Sequence, residues 1–173
     1  MLINRRVNRQ APYYVCSIVY TQPLLYYFVT IASLLPRINA LTPDSQRLWG
    51  SMSTGQMLTH CTDQLQIVLG EKPVDKLGNA MTRWLAKWVA LNLPMRMPKN
   101  IKTIPELDPN KQLMTQPGDF ANDRKNLLSA LSRLQNVPES QPINHPIFGS
   151  LSKAEAIKLS CIHLDHHMRQ FGV

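Results

Sequence analysis

Five histidines are the residues of this chain best suited to chemistry, and four of them are His60, His163, His166 and His167. His163 and His167 stand four positions apart, a spacing that stacks two imidazoles on one helix face, close enough to share a metal ion. At about 100° per residue they border an apolar stripe of Ile157, Cys161, Leu164, Met168 and Phe171. His60 borders the apolar face of its own helix. If those two helices pack together, the three rings form a facial three-nitrogen site. Three protein ligands leave coordination positions open for water, the pattern of a catalytic rather than a structural metal. The alternative for each ring is a hydrogen-bonded residue at the edge of the core.

Other groups near these positions carry weaker signals. Asp63, one turn after His60, is placed to orient a ligand or to hold a metal-bound water; otherwise it is a solvated carboxylate. His166 points away from the core stripe, either into solvent or beside the site as a neighbour of the ligands. His145 lies in the loop His145-Pro146-Ile147-Phe148-Gly149. There it either shuttles protons over the site or joins Phe148 in locking the loop to the body. Trp49 reads as a packing anchor more than as a substrate platform. Cys61 and Cys161 adjoin the histidines in sequence but turn into apolar stripes, so they read as core thiols rather than ligands.

The elements that must position these groups are helical. Ser53 and Gln56 form a capping box, and the helix they open runs to Gly70 with Met57, Leu58, Cys61, Leu65, Val68 and Leu69 on one face. Ser152 and Glu155 open the last helix in the same way, and it continues to Gly172. Leu24 to Leu41 reads as a first helix, bent or restarted at Pro36. Val74 to Leu93 reads as another, with Trp84, Leu85, Trp88, Val89 and Leu93 as its apolar side. Asp119 caps a helix to about Gln135, with Leu127, Leu128, Leu131 and Leu134 facing inward. Five prolines from Pro94 to Pro117 mark a long irregular connection, and Asn136 to Leu151 is a second loop. No segment alternates as a strand does. The expectation is an all-α protein, a four-helix bundle with an accessory helix and long Pro-rich connections.

The chain has 173 residues, 44% of them apolar and 17% charged, which suits one globular domain. Its net charge of +8 is dispersed, with Arg5, Arg6 and Arg9 ahead of the domain. No basic stripe points to nucleic acid, and no nucleic-acid partner is expected. All five tyrosines fall in the first 27 residues, and residues 11–35 carry no charge. Residues 1–22 are therefore expected to be an extension and residues 23–173 the domain. Three cysteines without CxxC spacing suit a reducing, cytoplasmic compartment. The alternative is membrane attachment through residues 11–35, which Pro23 interrupts and which leaves too short an unbroken run to span a bilayer.

Four segments resemble the DinB-like superfamily, and within it a branch known only as a domain of unknown function. They are Trp49-Gly50-Ser51-Met52-Ser53, Gln56-Met57-Leu58-x-His60, His145-Pro146-x-Phe148-Gly149 and His163-x-x-His166-His167-x-x-Gln170-Phe171-Gly172. The likeness covers roughly residues 34–173. It implies a four-helix bundle and one divalent metal, zinc or nickel as first candidates, on His60, His163 and His167. Some members of that superfamily are thiol-dependent transferases or hydrolases and many have no known activity, so the likeness allows either chemistry, with a small molecule or thiol as partner. The competing expectation is a non-catalytic metal-binding or stress-related bundle, and a homodimer stays open.

Overall fold

Each helix is started by a side chain that satisfies the first backbone N–H groups of its own helix. Thr30 with Ser33, Ser53 with Gln56, Asn79 with Thr82 and Ser152 with Glu155 form reciprocal capping boxes, and Asp119 accepts from the Asn122 N–H. These caps open α1 (Ile31–Ala40), α2 (Thr54–Leu69), α3 (Ala80–Asn92), α4 (Phe120–Asn136) and α5 (Lys153–Gln170). A 3-10 turn occupies Pro105–Leu107. The structure is a computed structural model of the chain and describes residues 29–93 and 96–173.

The fold is mostly helical but not purely so. Strands β1 (Ile143–His145) and β2 (Gly149–Leu151) pair antiparallel, with Ile143 opposite Leu151 and His145 opposite Gly149. Neither strand is foreshadowed by alternation in the sequence, because three residues are too few to show a period of two. Gly149, at φ +70, lets the chain turn back at the end of this hairpin.

Two helix starts differ from expectation. Thr30 is extended and caps α1, so the helix begins at Ile31 and not at Leu24; residues 24–28 lie outside the described residues, as does the proposed extension 1–22. α1 then runs through Pro36 without a restart. The carbonyl that loses its donor there, on Ala32, belongs to an exposed residue and can turn to water. α3 begins at Ala80 rather than Val74, because Gly78 takes φ +66 and Asn79 closes a capping box behind it.

α3 also faces the other way from its expected packing. Trp84, Leu85, Trp88 and Leu93 are exposed, with Trp84 at 63%, while Ala90 and Leu91 are the α3 residues that pack on the core. Arg83 and Lys87 reach inward to backbone carbonyls of residues 77, 78 and 150. Periodicity shows that a helix is two-faced; it does not say which face the body of the protein covers.

One apolar cluster joins α1, α2, α4, α5 and the hairpin. Leu34 and Ile38, Met57, Leu58 and Leu65, Leu127 and Leu131, Leu159 and Leu164, and Ile143 and Leu151 all belong to it. α2 lies against α4 and α5, and α1 against α5, while α3 touches the rest through α5 and β2. Arg37 clips α1 to α5, bonding Asp165 at 2.7 Å and the Val173 carbonyl at 2.9 Å. Among the described residues no helix is long and apolar enough to cross a membrane.

Leu65→Ala should destabilise the chain by about 2–5 kcal/mol, the range for a fully buried leucine. Trp84→Ala should change stability by about 0.5 kcal/mol or less, as at an exposed site. Urea unfolding of the two variants checks the orientation of α3, and equal losses would contradict it.

Candidate metal centre

α2 and α5 meet where each carries histidine, and the packing turns three ring nitrogens toward one point. His60 Nε2 lies 3.1 Å from His163 Nε2, and His167 Nε2 lies 3.3 Å from the same atom. Two imidazole nitrogens bound to one zinc at about 2.0–2.1 Å stand about 2.9–3.4 Å apart for angles between octahedral and tetrahedral. These two separations fall in that interval, and the three ligand nitrogens all lie within 4.8 Å of one another. His60 and His167 are buried and His163 is partly exposed.

The hydrogen bonds behind the rings fix which nitrogen can bind. His60 Nδ1 is 2.9 Å from the Leu107 carbonyl oxygen. A carbonyl only accepts, so Nδ1 carries the proton and Nε2 keeps its lone pair. His167 Nδ1 is 2.8 Å from Gln170 Oε1. The amide orientation is set because Gln170 Nε2 donates to the Trp49 carbonyl at 2.9 Å. His167 Nδ1 is therefore also a donor, and its Nε2 is bare. His163 Nδ1 is buried with no hydrogen-bond partner. A neutral His163 has one ring proton. On Nε2 it can bridge to a neighbouring lone pair, but a bare Nδ1 stays buried and unpaired. On Nδ1 it is buried unpaired, and three lone pairs face one another. Neither arrangement satisfies the cluster; a cation among the three Nε2 atoms removes the clash of facing lone pairs and leaves the His163 Nδ1–H as the one unpaired ring group.

Burial keeps the rings neutral. The pKa values of His60, His163 and His167 are lowered, chiefly because a charged ring would lose its hydration. Around His163 the neighbouring rings of His167 and His60 push the same way. At His60 the bond to the Leu107 carbonyl partly opposes the shift.

The other residues singled out from sequence are placed as follows. Asp63 is fully buried, but its carboxylate bonds Lys72 and Thr115 rather than an imidazole, so it is neither solvated nor a ligand-orienting group in direct contact. His166 is buried, not exposed; its Nδ1 donates to the Met97 carbonyl at 3.2 Å and its ring stands edge-on to His167 and to Trp49. His145 accepts from the Ile147 N–H at 3.1 Å and lies on the Phe148 ring, which is the loop-locking role. Burial lowers its pKa to about 4. The thiols of Cys61 and Cys161 sit in the core, where burial raises both, Cys161 to about 12. Among the described residues, His60, His163 and His167 are the group close enough to share one ion.

Two parts of the centre had no residue signal of their own. The Leu107 carbonyl is a backbone atom 47 positions from His60. Gln170 stood in the closing motif without a role. Gly50 belongs with it: at φ +78, a Cβ there would stand 2.5 Å from Gln170 Nε2. The glycine leaves room for the amide that aims His167.

The fold and site together define a mostly helical protein with a buried three-histidine cluster that could hold a metal ion. The chain belongs to the family described as protein of unknown function DUF1569, whose profile matches residues 27–172. No curated protein and no solved structure matches it.

The lowered pKa values make metal-free stability depend on pH. The unfolded chain takes up protons near pH 6.5, the folded chain only below that, so stability is complete above about 6.5 and falls as pH drops. Several rings act together, so the metal-free protein should lose more than the roughly 1.4 kcal/mol per pH unit that one proton gives between pH 6 and 5. Urea midpoints measured with a chelator present check this, and a flat profile would contradict it.

Proposed function

We propose that the chain is a DinB-like metalloprotein that holds one divalent cation on the Nε2 atoms of His60, His163 and His167. The observation that carries this reading is the convergence of three nitrogens, two of them stripped of protons by the Leu107 carbonyl and the Gln170 amide. The donor set fits a borderline metal such as zinc or nickel: three neutral nitrogens, with the two buried thiols held protonated in the core. α1, α2, α4 and α5 sharing one core support a four-helix bundle, with α3 as the accessory helix.

A cation held by three imidazoles with positions open acts as a Lewis acid and acidifies a bound water or thiol, which is the chemistry of a hydrolase or a thiol-dependent transferase. The chain's part is to keep the three rings neutral, aimed and rigid. His163 is the partly exposed member of the trio, so a small substrate or thiol approaches on its side. The cytoplasm, with its free thiols, is the compartment this activity suits.

Protein purified without a histidine tag should contain about one equivalent of zinc or nickel per chain. His163→Ala should reduce this to background while the far-ultraviolet circular dichroism stays helical, because the apolar core does not include the histidines. Full metal content in His163→Ala would contradict the assignment. Unfolding of the native chain on chelation would contradict a fold that stands without the metal.

A further inference from the structure

We propose that buried Asp63 and half-buried Lys72 form a positioning clasp for His60, acting through the loop that supplies the Leu107 carbonyl; it rests on the reading of the histidine trio as a metal centre. Asp63 lies one turn beyond His60 on α2, and its side chain is 1% exposed. Its Oδ2 accepts from Lys72 Nζ at 2.6 Å and from the Thr115 N–H at 2.8 Å, and its Oδ1 accepts from the Thr115 hydroxyl at 2.7 Å. Lys72 Nζ also donates to the Leu113 carbonyl at 2.9 Å and the Glu106 carbonyl at 3.4 Å. One carboxylate and one ammonium thus hold residues 106, 113 and 115, on both sides of Leu107.

The consequence falls on one ring. Leu107 offers its carbonyl to His60 Nδ1 at 2.9 Å, and that bond keeps the His60 proton off Nε2. The loop is rich in proline, and among its described residues the one helical element is a three-residue 3-10 turn. Its register over α2 is therefore set by partners outside it. Directional bonds from a charge pair whose carboxylate is buried fix such a register, where apolar contacts alone would let it slide. When the loop shifts, His60 loses its acceptor, and the proton is free to move to Nε2, which then cannot bind a metal. His167 is held separately by Gln170 and does not depend on the loop. Asp63 and Lys72 touch no ligand, so they are positioning residues and not part of the coordination set.

The test compares the full-length native chain with Lys72→Met and with the double variant Asp63→Asn, Lys72→Met. The double variant removes both charges and leaves no lone ion in the interior, so it decides the matter if the single variant fails to fold. Zinc affinity, read by competition with a coloured chelator, should weaken about tenfold or more in the folded variants. In the metal-free proteins, long-range proton–nitrogen NMR of the rings should show His60 losing its single Nδ1–H form while His167 keeps its own. A loss of general stability would not single out His60. Native zinc affinity in the double variant, or an unchanged His60 spectrum, overturns the clasp. Should the native chain bind no zinc, the metal reading fails, and the His60 spectrum still decides the clasp.

Discussion

A neutral imidazole has one ring proton, and where that proton sits decides whether the ring can bind a metal. In this chain two of the three protons are committed before any ligand arrives. Leu107 takes the proton of His60, and Gln170 takes that of His167. The lone pairs left over all point at His163 Nε2. Their mutual repulsion would disfavour the arrangement if a positive charge did not belong among them. The loop that carries Leu107 and the amide of Gln170 keep those two protons in place.

The helices contribute through their ends as much as through their faces. α2 carries His60, and its Ser53–Gln56 capping box fixes where the helix starts and so where His60 lies along it. At its far end Gly70 lets the chain turn so that Lys72 returns toward Asp63. α5 carries His163 and His167 on adjacent turns, and its last residue is Gln170, which reaches across to the segment before α2 through the Trp49 carbonyl. The close of α5 and the approach to α2 are thus tied at the same amide that aims a ligand. Gly50 beside it has no side chain to block that contact.

What could be read from sequence is what local physics determines. The boxes Ser53–Gln56 and Ser152–Glu155, the Asp119 cap and the Gly70 stop lie within one turn of the elements they define, and the structure has all of them. The pair His163 and His167 is fixed by helical geometry alone, and His60 needed only the packing of α2 on α5. The rest depended on partners distant in sequence. Asp63 could not be separated from a solvated or site-facing carboxylate, because Thr115 stands 52 residues away. The face of α3 is not legible because its tryptophans look like core residues, while the protein body takes Ala90 and Leu91 and the polar heads of Arg83 and Lys87 instead. The hairpin at residues 143–151 was too short to show a pattern, and the hidden acceptor for His60 was a main-chain oxygen, which no side-chain motif can display.

The most direct measurement is anomalous diffraction at the zinc edge from crystals of the zinc-loaded chain. The account predicts one strong peak per chain, bonded to Nε2 of His60, His163 and His167, with the Leu107 carbonyl and the Gln170 amide still on the two Nδ1 atoms. A peak coordinated through Nδ1 of either ring, or placed away from the three histidines, would contradict it.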